Sequence, residues 1–181
     1  VLIVTGGGCG FISATLSNLP DVSNVRPSAS SQIYDVHGNL ITTVHSSENR
    51  LPIPLKDVPK DLQNAFVATE DSRFYTHHGI DPIGILRAIW VNIVHSGVSE
   101  GGSTITQQLA RNAFLSQDRT FKRKISEALL ALKIEQHYTK DEILEMYMNQ
   151  IYFGQGAYGV QSASHVYFGK DASQLTLAQA A

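Results

Sequence analysis

A single cysteine, Cys9, leaves no partner for an intramolecular disulfide, and its apolar, glycine-rich surroundings suit an inert thiol. Excess charge is missing too, because 14 Lys+Arg stand against 16 Asp+Glu for a net charge of -2. A global basic field for nucleic acid or anionic lipid is therefore excluded, and any phosphate binding must come from a local cluster. Nor does the uncharged apolar run from Val1 to Leu16 reach the roughly 20 residues that span a bilayer. It is expected to be the surviving end of a membrane anchor over 1–17, with a signal-peptide core and a buried strand as competing accounts. Ser, Asn, Pro and Asp then dominate, which is linker chemistry over 18–31. There is no internal repeat and no low-complexity tract, so 32–181 reads as one domain with enough apolar residues to bury a core.

What is present is mostly helix signal. Two β-rich runs, Gln32–Asp35 and Leu40–Val44, flank Val36-His37-Gly38-Asn39 and predict a hairpin. Pro52, Pro54 and Pro59 break up regular structure until a helix can start near Lys60. Asp81-Pro82 predicts an N-cap with proline at the first helical position, opening an apolar run through Val94 that ends at Gly97. Capping boxes are predicted at Thr139-to-Glu142 and again at Thr176-to-Gln179, where the chain is expected to be cut off after one turn. The class is mainly α.

Four segments could carry chemistry. In Ala68–Gly79, Glu70 and Asp71 fall at a predicted helix C-terminus, where negative charge opposes the helix dipole by a few tenths of a kcal/mol or more. A partly desolvated carboxylate there could serve proton transfer, and a plain helix boundary with solvated charges reads the residues equally. In Glu100–Asn112, glycines, hydroxyls and a helix start make a phosphate-compatible site, or a glycine turn with a Thr104-to-Gln107 capping box. It is not a P-loop, since the Lys-Ser/Thr pair is absent. In the helix from Phe121, the residues Phe121, Ile125, Ala128, Leu129 and Leu132 form one apolar stripe and Leu130 with Ile134 a second. Arg123 and Glu127 lie on the second, as a cleft wall or as an (i, i+4) ion pair worth roughly 0.2–0.5 kcal/mol. The segment from Lys140 to Val160 describes packing, with Asn149 the exception that can bond backbone or ligand.

In this order the segments resemble glycosyltransferase family 51, the peptidoglycan transglycosylase module of class A penicillin-binding proteins and monofunctional transglycosylases. The motif E-D-x-x-F-x-x-H-x-G matches at Glu70, Asp71, Phe74, His77 and Gly79. The motif G-G-S-T-[IL]-T-Q-Q-L-x-[KR]-N matches from Gly101 to Asn112, and R-K-x-x-E matches Arg123, Lys124 and Glu127. A fourth covers Ile143 to Gly154 with Tyr147, Asn149, Tyr152 and Phe153. Where the fifth usually reads L-x-E-A-A, this chain has Leu177-Ala178-Gln179-Ala180-Ala181.

The resemblance implies a lysozyme-like, two-lobed helical domain with a short N-terminal hairpin, here expected to be truncated at its C-terminus. It implies an inverting enzyme that polymerises lipid II into β-1,4 glycan with release of undecaprenyl pyrophosphate. Glu70 and Glu127 would be catalytic. Asp71, Phe74, His77, Gly102, Ser103, Thr104, Gln107, Gln108, Arg111, Asn112, Arg123, Lys124, Asn149 and Tyr152 would bind substrate. No organic cofactor is implied, and a divalent cation, Mg2+ or Mn2+, is admitted at the phosphates. Expected partners are lipid II, the growing strand, the bacterial cytoplasmic membrane, a C-terminal transpeptidase domain and other cell-wall synthesis proteins, with no nucleic acid. The domain would face the extracytoplasmic side on a single-pass anchor. A lysozyme-like hydrolase and an inactive membrane-tethered binding fragment are the alternatives.

Overall fold

The expected hairpin is present: β1 (Ser31–Tyr34) pairs antiparallel with β2 (Leu40–Val44). The structure, a computed structural model, describes residues 19–23, 31–38, 40–44, 49–94, 101–115 and 120–180. The expected anchor, most of the expected linker, Gly97 and Glu100 lie outside the described residues. Residues 19–23 of that linker are not a free tether. Val22 is fully buried, its carbonyl accepts from the Tyr138 hydroxyl at 2.8 Å, and the Pro20 carbonyl accepts from Lys133 at 3.2 Å.

After the prolines and one 3-10 turn, α1 (Lys60–Glu70) starts where the sequence predicts, directly behind Pro59. It stops at Asp71, whose extended φ of -159° takes the chain out of the helix. The next helix, α2 (Pro82–Val94), is capped by Asp81, whose carboxylate accepts from the Gly84 amide at 3.0 Å. Capping boxes open α3 (Ile105–Phe114) at Thr104 and α5 (Lys140–Gln150) at Thr139, and Thr120 caps α4 (Phe121–His137). The sequence continues through β3 (Asn49–Arg50), which pairs in parallel with β4 (Ala157–Tyr158) across most of the chain. Two residues are too few for any periodic signal, so this pair escapes sequence reading. Past it, α6 (Val160–Phe168) closes at Gly169 in the left-handed region, and α7 (Leu177–Ala180) follows, its Thr176 amide donating to Gln179 at 3.1 Å.

The main core lies between α3, α4 and α5, where Ile105, Leu109, Leu130, Ile134, Ile143, Leu144, Tyr147 and Met148 are fully buried. Each such aliphatic side chain contributes about 1.5–3 kcal/mol of transfer free energy. Of the two stripes on α4, the shorter one made the core. Leu130 and Ile134 are buried together with Glu127, whereas Phe121 is 80% exposed and Leu132 38%. Counting apolar residues along a helix cannot reveal which stripe another helix will cover; α3 and α5 cover this one.

The architecture is mainly α and two-lobed, with the hairpin in front, consistent with the lysozyme-like expectation. Helix α2 buries Gly84 and Ala88 and leaves Ile83, Leu86, Ile89, Trp90, Ile93 and Val94 exposed along one side. Among the described residues, no helix is long and apolar enough to cross a membrane.

Candidate active site

The first two motifs are locked together through one buried acid. Asp71, released from α1, accepts from the backbone amide of Ile105 at 3.1 Å and from His77 Nε2 at 2.9 Å. A carboxylate on the first amide of α3 satisfies a donor that the helix itself cannot. The Thr104 hydroxyl donates to the Gly79 carbonyl at 2.7 Å and accepts from the Gln107 amide at 3.1 Å. Gly79 has φ +82°, and a Cβ there would stand 2.9 Å from the backbone of Ala131, so only glycine lets this turn lie against α4. These bonds make the capping box, one of the two readings of this segment. The amides of Ile105 and Gln107 are consumed by Asp71 and Thr104 rather than offered to an anion.

Glu70, the last residue of α1, is exposed, and its Oε2 accepts from Gln108 Nε2 at 2.8 Å. Gln108 Oε1 in turn accepts from the Tyr147 hydroxyl at 3.2 Å. Burial first, and then the charge of Glu70, push that hydroxyl well above the usual phenol range, while Arg111 pulls the other way. Both Glu70 and Arg111 are therefore within electrostatic reach of one buried hydroxyl.

Glu127 is only 2% exposed and paired twice, with Arg123 one turn before it and with Lys124 Nζ at 3.0 Å. Lys124 also donates to Ser103 Oγ at 2.7 Å, which joins the third motif to the second. Half-burial, then the positive charges of Arg111 and Arg123, hold the Lys124 ammonium below the usual lysine range even with Glu127 beside it. Two cations thus pair with one carboxylate, and a third, Arg111, acts on Lys124 from nearby. Such a cluster carries net positive charge and would gain from a bound anion.

Glu70, Asp71, Gly102, Ser103 and Thr104 line one narrow cleft of about 20 Å³ together with Asp81 and Arg87. Glu127 reaches it through Lys124 and Ser103. Arg111 and Asn112 lie on the same helix as Gln108, with Asn112 exposed. The other predicted site residues lie deeper. Phe74 is fully buried, with Lys140 over its ring at 4.5 Å, and Thr104 and Gln107 are bonded within the α3 cap. Asn149 holds the backbone of Ile53, donating to its carbonyl and accepting from its amide at 2.9 Å each. Tyr152 is 55% exposed and its ring meets that of Tyr158 at a tilt, with centroids 4.8 Å apart. Sequence reasoning left Tyr147 among the packing residues. Its hydroxyl could have been flagged as a polar atom on an otherwise apolar helix face, because a buried phenol needs a partner.

A mainly α, two-lobed domain with a short N-terminal hairpin is consistent with the lysozyme-like fold of peptidoglycan glycosyltransferases. The family model described as transglycosylase matches residues 37–181, and the chain belongs to that family, as a peptidoglycan glycosyltransferase domain of glycosyltransferase family 51. It is 51% identical over 180 residues to penicillin-binding protein 1A of Escherichia coli (strain K12), covering 98% of this chain and 21% of that protein. It is 50% identical over 153 residues to penicillin-binding protein 1F of Bacillus subtilis (strain 168), covering 84% of this chain and 21% of that one. For penicillin-binding protein 1A of Aquifex aeolicus (strain VF5) the identity is 48% over 174 residues, or 94% of this chain and 24% of the relative. The chain thus spans between a fifth and a quarter of the length of these curated relatives.

Proposed function

We propose that this domain polymerises lipid II, using Glu70 as general base and the Arg123, Lys124 and Glu127 cluster at the leaving diphosphate. The observation that carries the reading is the contrast between an exposed, singly bonded Glu70 and a cationic cluster assembled around buried Glu127 near the same cleft. In the reaction, the acceptor's GlcNAc 4-hydroxyl gives its proton to Glu70 as its oxygen attacks C1 of the donor's MurNAc. The C1–O bond to the diphosphate breaks, its electron pair leaves with undecaprenyl pyrophosphate, and C1 inverts to the β-1,4 linkage. A diphosphate needs charge stabilisation more than protonation, and Lys124, Arg123 and Arg111 would supply it. Glu127 would hold two of those cations in place.

A divalent cation, Mg2+ or Mn2+, would in this reading ride on the substrate's diphosphate, since Glu127 is taken up by Arg123 and Lys124 and Asp71 by His77. Titrating a chelator against the polymerisation rate tests it. The exposed apolar side of α2 supports contact with the bacterial cytoplasmic membrane, where such a helix would lie in the headgroup boundary, and lipid II polymerisation would put that contact on the extracytoplasmic face. Flotation with lipid vesicles, weakened by Trp90→Ser, is the expected outcome. The name shared by the relatives supports a penicillin-binding transpeptidase companion domain.

The decisive experiment offers purified protein lipid II and, separately, finished peptidoglycan. Polymer from the first and no cleavage of the second is expected. Cleavage of peptidoglycan with no polymer would transfer the same carboxylates to the hydrolase reading, and neither product would favour a binding fragment.

A further inference from the structure

Between the exposed acid and the core runs a three-residue chain that the mechanism above leaves unused: Tyr147 hydroxyl to Gln108 carbonyl at 3.2 Å, Gln108 amide to Glu70 Oε2 at 2.8 Å. Its direction is chemically fixed. An ionised carboxylate only accepts, so the amide must turn its NH2 group to Glu70 and its carbonyl to Tyr147, which must then donate. Tyr147 is suited to donate because it is fully buried and its hydroxyl is held protonated by burial and by the nearby negative charge. Its ring cannot wander, since Phe66 packs edge-on against it with centroids 6.0 Å apart. Gln108, by contrast, is partly exposed and has three rotatable bonds to immobilise.

We propose that Gln108 and Tyr147 are positioning residues that decide which oxygen of Glu70 takes the proton: Gln108 holds Oε2, and Oε1 is left to the acceptor hydroxyl. The proposal rests on the general-base reading of Glu70. Among the described residues Oε1 accepts no hydrogen bond. When the acceptor's O–H bond breaks and the proton arrives on Oε1, Oε2 is an acceptor both before and after the transfer. The Gln108 bond therefore survives the reaction without reorganisation, and the carboxylate plane stays fixed while the new glycosidic bond forms. Tyr147 acts one step further back. Without its hydroxyl the amide loses the anchor that fixes its rotation, and Glu70 samples orientations that do not face the acceptor.

The test is steady-state polymerisation of lipid II by the full-length protein, with kcat and KM measured separately for Tyr147→Phe, Gln108→Leu and the double variant. Tyr147→Phe should lower kcat by about ten-fold and Gln108→Leu by roughly a hundred-fold, both with KM within about two-fold of the parent. Because the two residues act in series, the double variant should be no slower than Gln108→Leu alone. A wild-type kcat in Gln108→Leu, a loss confined to KM, or a double variant showing the product of the single losses would overturn the relay. Should Tyr147→Phe fail to melt cooperatively, Gln108→Leu, at a partly exposed position, decides by itself. Glu70→Gln run alongside separates the two readings: an active Glu70→Gln sinks the base assignment, whereas an inactive Glu70→Gln with unaffected Gln108→Leu sinks the relay only.

Discussion

Glu70 and Glu127 are the same residue in opposite settings. Glu70 ends a helix, is exposed and has one neutral hydrogen-bond donor, while Glu127 is buried in mid-helix between two cations. A proton acceptor must be reachable by substrate and must not be neutralised by a fixed cation, and of the pair Glu70 meets both conditions. A buried carboxylate held by Arg123 and Lys124 is instead a fixed counter-charge. Removing it would leave cations without compensation, so its loss should be felt by the fold as well as by the reaction. Chemical identity says little here; the surroundings assign the work.

Four substitutions or conditions probe that contrast, in descending order of expected effect. Glu70→Gln should reduce lipid II polymerisation by about 10²- to 10⁴-fold, with a stability change within roughly 0.5 kcal/mol because the position is exposed. A large loss of stability in that variant would erase the distinction from Glu127. Glu127→Gln should behave the other way, lowering unfolding free energy by about 3 kcal/mol in denaturant titration and slowing turnover at the same time. If it melts like the parent, the buried ion cluster is not structural. Lys124→Met keeps the length of the side chain and removes the charge. It should weaken inhibition by inorganic pyrophosphate by roughly ten-fold, since a charge-assisted contact is worth about 1.5–3 kcal/mol before solvent screening at this half-exposed position. Equal inhibition of parent and variant would take Lys124 out of the anion site.

The smallest effect belongs to the cap of α2 at Asp81. Burial would raise the Asp81 carboxyl, but the hydrogen bonds from Arg73 and the Gly84 amide, with the Arg73 and His77 charges, hold it below the usual carboxylate range. The stability linked to Asp81 is present above the ordinary aspartate value of 3.8 and is lost as pH falls through the lower folded-state value. Thermal melting of parent and Asp81→Asn should therefore converge as the pH is taken below about 4. A constant gap down to acid would show that Asp81 acts as a cap without its charge.

Much of this was legible beforehand because it depends on neighbours a few residues apart. Thr139-to-Glu142 and Asp81-Pro82 each specify a helix start through local hydrogen bonds and form as expected, and the Thr104-to-Gln107 box, one of two readings of its segment, forms as well. The hairpin likewise follows from two β-rich runs around a turn. Asp71 shows the limit: its carboxylate caps a helix that begins 34 residues later, and no spacing rule connects them. Equally hidden were the bonds of Lys124 to Ser103, of Asn149 to Ile53 and of Tyr147 to Gln108, which all join residues far apart in the chain.

By itself the sequence determined the helix starts at Lys60, Pro82 and Lys140, the β-hairpin, the ordered motifs of the family and the kinds of group available for proton transfer and anion binding. Only the tertiary structure decided that Leu130 and Ile134 face the core, that Glu127 goes inside with them and that Glu70 stays at the surface. The reason is that capping and turns are settled by short-range bonding, whereas desolvation is imposed by whichever distant helix comes to lie on top.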